Sequence, residues 1–188
     1  MANVNDFDRD PFLVNFENGT FNVKTGKLRA DRRDDRITKL VPFGYDPDAK
    51  APTFKKFFRR ILPDSEVRNF VQRALGYSLT GDIGKQVLFF LHGEGANGKS
   101  TFIETVMHVL GDYATLAPPG LLLSSFRDVA AWDLLPLQGA HFVSTQETSE
   151  DGRLNETLVK QLTGGDTLKA HACTGTRSLS LHPLTSCG

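Results

Sequence analysis

Eight residues, Gly93-Glu94-Gly95-Ala96-Asn97-Gly98-Lys99-Ser100, fit G-x-x-x-x-G-K-[ST] at every fixed position. The residue types suit the phosphates of a nucleoside triphosphate. Glycines let a loop wrap tightly and turn successive N–H groups inward. A helix starting behind the loop adds the partial positive charge of its first turn. Lys99 would reach the β- and γ-phosphates, the Ser100 hydroxyl would bind Mg²⁺, and Thr101 completes the first turn. At ordinary glycine frequency, four fixed positions coincide by chance in about one chain in a hundred or fewer.

Such a loop needs a strand before it and a helix after it. Val87 to Leu91 form a continuous apolar run, as in a strand buried on both faces. Phe102, Ile103, Val106, Met107 and Leu110 follow at helical spacing, and Gly111 stands where a helix stop belongs. About fifty residues downstream, His141 to Glu147 read as a short strand ending in an acid. A carboxylate there lies beside Mg²⁺ and orients the attacking water, so Glu147 is the expected catalytic acid and second metal ligand. Gln146 stands where many such motifs carry a first acid.

The rest of the chain reads in order. Residues 1–10 are a lead-in expected to be disordered. Phe12 to Val23 predict a hairpin around Glu17-Asn18-Gly19-Thr20, followed by a turn at Lys24 to Lys27. Asp31 to Arg36 are a mixed-charge run expected as a solvated loop, and Ile37 to Phe43 suggest a strand. Ala51 to Leu62 predict a helix with Phe54, Phe57, Phe58 and Ile61 as an inward stripe and Lys55, Lys56, Arg59 and Arg60 opposite. Ser65 is placed to cap a second helix, Glu66 to Leu75, with Val67, Phe70, Val71 and Leu75 inward. A linker follows, with a boundary near residue 83. Leu121 to Leu123 are a short apolar segment, and Ser124 to Ala131 suit a helix. Arg153 to Leu162 suit another, with Leu154, Leu158, Val159 and Leu162 inward. Thr163 to Asp166 form a turn, and Thr167 to Ala170 begin a strand.

Bulk properties set limits. The 188 residues suffice for one sizeable domain with a small attachment, and 39% hydrophobic and 23% charged content is ordinary for a soluble globular chain. Acids and bases balance at 22 each, so a nucleic-acid role needs a local patch. The polar start is no signal peptide, and no apolar run approaches a membrane span. Cys173 and Cys187 form neither a metal-ligand pattern nor a disulfide framework, which suits a reducing cytoplasm.

Taken together, GEGANGKSTF, QGAHFVSTQET and LVKQLTGGDTLKA resemble the superfamily-3 helicase domain of phage and plasmid primase–helicases. NGTFNVKTGKL, YDPDA and RALGYSLTGD resemble the small domain that precedes it, so the likeness covers roughly residues 12–170. The resemblance implies a P-loop NTPase, AAA+-like three-layer α/β core over residues 83–170, preceded by a small α+β domain over residues 11–82. It implies an ATP- and Mg²⁺-dependent, ring-forming DNA helicase of replication, usually hexameric, in a prokaryotic or phage-infected cytoplasm. Lys99, Ser100 and Glu147 carry the chemistry by this resemblance. Lys160 and Lys169 become candidate DNA-phosphate contacts around a hairpin facing the ring channel. The family's primase domain would be encoded elsewhere.

The tail HACTGTRSLSLHPLTSCG departs from that pattern. The family continues with an Arg, an apolar-aromatic pair, a sensor strand and an arginine finger. Without the sensor strand the sheet is expected to lack a central member. Residues 171–188 are therefore expected to be non-native, the core incomplete on its C-terminal side, and ATPase activity of this chain weak or absent. Two other readings share the loop: a non-catalytic remnant or ATP-binding fragment, and a small-molecule kinase, which the acid-ending strand and LTGGD disfavour. The tail is compatible with a shifted frame. One base restored in the His171 codon permits Arg-Cys-Leu-Tyr-Arg-Asp-Glu and, later, Lys-Leu-Trp. The gene's nucleotide sequence tests this: a sensor strand and arginine finger are expected in the downstream frame, and their absence there disproves the shift.

Overall fold

The structure, a computed structural model, describes residues 6–124, 131–146, 152–164, 168–172, 175–179 and 184–187. The fold is mixed α/β, in two compact units: Met1–Thr80 with Glu94–Gly111, and Gly81–Gly93 with Asp112–Gly188. The helix after the glycine-rich loop is thus grouped with the first unit. No helix among the described residues is long and apolar enough to cross a membrane.

In the first unit, β1 (Leu13–Phe16), β2 (Gly19–Asn22) and β3 (Lys27–Arg29) form an antiparallel meander. The expected hairpin is present, closed at Phe16↔Gly19. Gly19 has φ +143°, and a Cβ there would lie 2.4 Å from the Arg29 carbonyl oxygen. The Asn18 side chain donates to the Tyr45 carbonyl at 2.9 Å and accepts from the Tyr45 N–H at 2.8 Å. That clamp brings Tyr45 onto Phe21 and Phe16, with ring centroids 4.7 and 5.6 Å apart. The Asn-Gly pair therefore makes the turn and also anchors the following segment.

Four expectations change here. Ile37 to Phe43 form no strand: one bridge, Phe16↔Val41, is made before Pro42, which has no N–H to extend a ladder. The charged run is not merely solvated, because Arg33–Asp35 make a 3₁₀ turn and Arg29 grips Asp35 through two bonds of 2.8 and 2.7 Å. Asp8, inside the expected lead-in, accepts from the Thr38 N–H at 2.7 Å, and its own N–H donates to the Arg36 carbonyl at 3.0 Å. The second helix, α2 (Ser65–Leu79), follows α1 (Pro52–Ile61) and is capped by Asp64, whose carboxylate accepts from the Glu66 N–H at 2.7 Å. It runs through Gly76, and Val67 and Phe70 lie on its exposed face.

α1 begins with Pro52 in its first turn, where a missing N–H has no cost. Its aromatic stripe is half-buried. Phe54 and Phe58 stack on Phe102 of α3 (Lys99–Leu110), with centroids 6.5 and 5.7 Å apart. α3 stops at Gly111 as expected, with φ +53°; a Cβ there would lie 2.4 Å from Pro42 Cδ.

The second unit holds a four-stranded parallel sheet in the order β4 (Leu88–Leu91), β9 (Leu184–Cys187), β6 (Phe142–Gln146), β5 (Ala114–Leu116). The expectation of a sheet without its central member is overturned: β9, from the divergent tail, pairs with β4 on one side and β6 on the other. Two parallel strands with open flanks leave a row of polar groups unpaired, and a four-residue extended segment after Pro183 satisfies both. β4 is an edge strand, and Phe90 is 54% exposed, so it is not buried on both faces. β6 falls within the strand expected at His141 to Glu147, and all but its last residue, Gln146, are buried. β5 was not anticipated; Ala-Thr-Leu is too short to show a period.

Leu121 and Leu122 are fully buried with Leu137, Val143, Leu158 and Leu162 in one core. α4 (Ala131–Leu134) contributes Leu134. The predicted helix at Ser124 to Ala131 lies mostly outside the described residues. α5 (Glu156–Gly164) starts later than expected because Asn155 caps it, its side chain accepting from the Leu158 N–H at 3.1 Å. Leu154 therefore precedes the helix, bridges Leu123, and is exposed. β7 (Leu168–Ala172) and β8 (Gly175–Leu179) pair as an antiparallel hairpin.

The Arg29–Asp35 pair yields a pH prediction. The two bonds from Arg29 hold the Asp35 carboxyl below its ordinary value, and Asp35 raises Arg29 in turn. The unfolded chain then binds the proton first as pH falls, so the pair's stabilisation is full above about pH 4 and is lost as pH drops through the folded pKa. Arg29→Met should cost about 1–2 kcal/mol in urea unfolding at pH 6. Its deficit relative to the parent should shrink by pH 3.

Candidate functional site

Gly93 to Gly98 form an exposed loop ahead of α3, apart from half-buried Gly98. Its backbone is unusual for its residue types. Ala96 sits at φ +58°, a left-handed value that costs a non-glycine residue energy, and Gly98 at φ +89° caps α3. A Cβ on Gly98 would lie 2.7 Å from Ile61 Cγ2 and 3.3 Å from Phe57 Cε2. The second fixed glycine is thus demanded twice, by its left-handed φ and by the close approach of α1.

Gly98 has no side chain with which to cap the helix. The Asn97 side chain accepts from the Lys99 N–H at 3.4 Å. The Lys99 ammonium reaches back over the loop to the Glu94 carbonyl oxygen, 3.3 Å away. A weak bond from a cation to a neutral carbonyl is one that a phosphate oxygen would readily replace. Ser100 and Thr101 are exposed on the first turn.

A cavity of about 810 Å³ opens over this loop, lined by Gly95 to Thr101 and, from α1, by Phe57, Arg60 and Ile61. The charged lining residues are Lys99 and Arg60, both cationic, so the cavity favours an anion. The expected loop residues Gly95, Ala96, Asn97, Gly98, Lys99, Ser100 and Thr101 are brought together; Gly93 and Glu94 belong to the loop without lining the cavity. The Ser100 hydroxyl is one oxygen donor, which suits Mg²⁺, an ion that takes most of its ligands from phosphates and water. Among the described residues no cluster of His, Cys, Asp and Glu forms a metal site by itself.

Glu147 lies outside the described residues. β6 ends at Gln146, which pairs with Cys187, and Cys187 pairs with Leu91 of β4. Leu91 and Gln146 thus end their strands at one level of the parallel sheet. Lys160 is exposed on α5, 3.5 Å from Glu156 one helical turn away, a pairing of little energetic weight. Lys169 lies in β7 opposite Ser178. The residues missed from sequence are Phe57, Arg60 and Ile61. Helical spacing assigned Phe57 and Ile61 to a core and Arg60 to solvent, and no period reveals that a helix end meets a loop.

Residues 2–63 match the family model described as D5 N terminal like. The chain is 30% identical over 175 residues to an Acanthamoeba polyphaga mimivirus protein named as a proposed helicase, covering 90% of this chain and 18% of that protein. It is 26% identical over 174 residues to a similarly named protein of Invertebrate iridescent virus 6, covering 88% and 18%. It is 23% identical over 168 residues to a proposed primase of African swine fever virus, covering 85% and 18%. The chain thus spans about a fifth of the length of these relatives. In fold it is similar to the apo C-terminal region of NrS-1, with a TM-score of 0.54, 15% identity, and coverage of 75% of this chain and 34% of that one. The family match spans the first third of the chain, and the likeness to NrS-1 concerns the fold alone.

The loop geometry separates two glycines that look equivalent. Gly98→Ala should destabilise by about 1–2 kcal/mol, from its left-handed φ and the clash with Ile61. Gly95→Ala, with open space around it, should stay within about 0.5 kcal/mol of the parent. Thermal melting of the two variants without nucleotide checks the contrast.

Proposed function

We propose that this chain is the ATP-binding part of a DNA-replication helicase of superfamily 3. One observation carries the reading: the cationic cavity built on a G-x-x-x-x-G-K-S loop with a strained backbone at the start of a helix. The loop's N–H groups and the first turn of α3 bind the phosphates. Lys99 exchanges its bond to the Glu94 carbonyl for the β- and γ-phosphates. The Ser100 hydroxyl would be a ligand for Mg²⁺, an ion that would supply charge neutralisation for phosphoryl transfer when bound. Glu147, following Gln146 at the C-terminal end of β6, takes the part of the acid that orients water.

The likeness to viral proteins named for helicase and primase activities supports a place in replication. On this reading subunits assemble into a ring and share each site, a neighbour supplying an arginine. DNA passes along the β7–β8 hairpin, with Lys169 on it and Lys160 on the preceding helix.

Mg-ATP added at a hundred times its dissociation constant should stabilise the protein by about 2.7 kcal/mol. Lys99→Ala should melt like the parent without nucleotide and lose that gain. Equal stabilisation of both proteins, or of neither, would overturn the reading.

A further inference from the structure

The nucleotide cavity has a wall that the phosphate-loop motif does not provide. Phe57, Arg60 and Ile61 come from α1, some forty residues upstream of the loop. Their presence there is fixed by packing. Phe54 and Phe58 stack on Phe102 of α3, and Ile61 and Phe57 fill the space over Gly98. The last turn of α1 is thereby held against the loop. Phe57 and Ile61 give an apolar surface, which presents no group to pair with a phosphate.

Arg60 is different. Its guanidinium lies 5.9 Å from the centroid of the Phe57 ring, at the outer range of a cation–π contact, and both residues line the cavity. Among the described residues no carboxylate lies within ion-pairing distance of it, and no acidic residue lines the cavity. A planar donor fork at the edge of this cavity, with no acidic residue in the lining to compete for it, is suited to bidentate capture of phosphate oxygens.

We propose that Arg60 is a phosphate-binding residue of this site, supplied by the small N-terminal domain to the polyphosphate of a nucleotide held by Gly95–Thr101. The inference rests on the nucleotide-site reading and deepens it. Lys99 is a compact charge within the loop, whereas Arg60 reaches the phosphates from α1. Nucleotide binding would then press α1 onto the loop and couple the N-terminal domain to occupancy.

Titration of the full chain with Mg-ATP and, separately, with inorganic tripolyphosphate, which has no base, tests this. Arg60→Ala should weaken both about tenfold, Arg60→Lys should recover less than half of that loss on a logarithmic scale because a point charge cannot make the bidentate contact, and neither should change the melting temperature without ligand, because the side chain is exposed. If Arg60→Ala binds both probes like the parent while Lys99→Ala binds neither, the inference fails and the nucleotide site stands. If Arg60→Ala weakens Mg-ATP alone, the residue serves the base and the phosphate role is overturned. If the parent binds neither probe, the site reading and the inference fall together.

Discussion

A buried strand must find hydrogen-bond partners along its length, and in the second unit that demand falls on four residues, Leu184–Cys187. Among the described residues β4 pairs with β9 alone, and β6 has β5 on its other flank. Removing β9 would leave β4 unattached to the sheet and open one side of β6. A lost ladder bond near a protein core costs on the order of 1–3 kcal/mol. The common level of Leu91 and Gln146 exists because both are registered on Cys187. The placement of the chain just before the phosphate loop, and of the strand end where an acid is proposed, both depend on β9.

The first unit solves a different problem. A glycine-rich loop is floppy by composition, and a phosphate site needs it held. The restraint comes from the aromatic side chains of α1, which stack on α3 and close over Gly98. Gly111 holds the far end of α3, tight against Pro42 and the Leu40 carbonyl. Between these contacts the helix that carries Lys99 and Ser100 is fixed at both ends within its own unit.

Local chemistry made much of this readable. The strand, glycine-rich loop and helix around residues 88–110, the Asn-Gly hairpin, the first helix and the stop at Gly111 each depend on residues near in sequence, and each of these elements lies where expected. Most of the departures come from side-chain contacts that no hydrophobic period reveals. Asn18 binding Tyr45, Arg29 binding Asp35 and Asp8 binding Thr38 all order segments whose composition suggests loose chain. Helix starts slipped by one to three residues because Asp64 and Asn155 outcompeted neighbouring caps. β9 was illegible for a different reason. Leu-Thr-Ser-Cys carries no strong alternation, and its strand character comes from the two partners that need it.

The register of β4 on β9 also bears on how the sheet is reached. Leu88 pairs with Leu184, a separation of 96 residues (184 − 88), whereas Ala114 pairs with Phe142 across 28 (142 − 114). Chain entropy makes the shorter closure the easier one, and long-range parallel pairing is intrinsically slow. β5 and β6 can associate while β4, with its run of Leu88, Phe89, Phe90 and Leu91, still waits for a partner. After docking it has no second partner among the described residues, and Phe90 stays exposed. The strand that delivers the chain to the glycine-rich loop is therefore a segment open to self-association while the sheet is still incomplete.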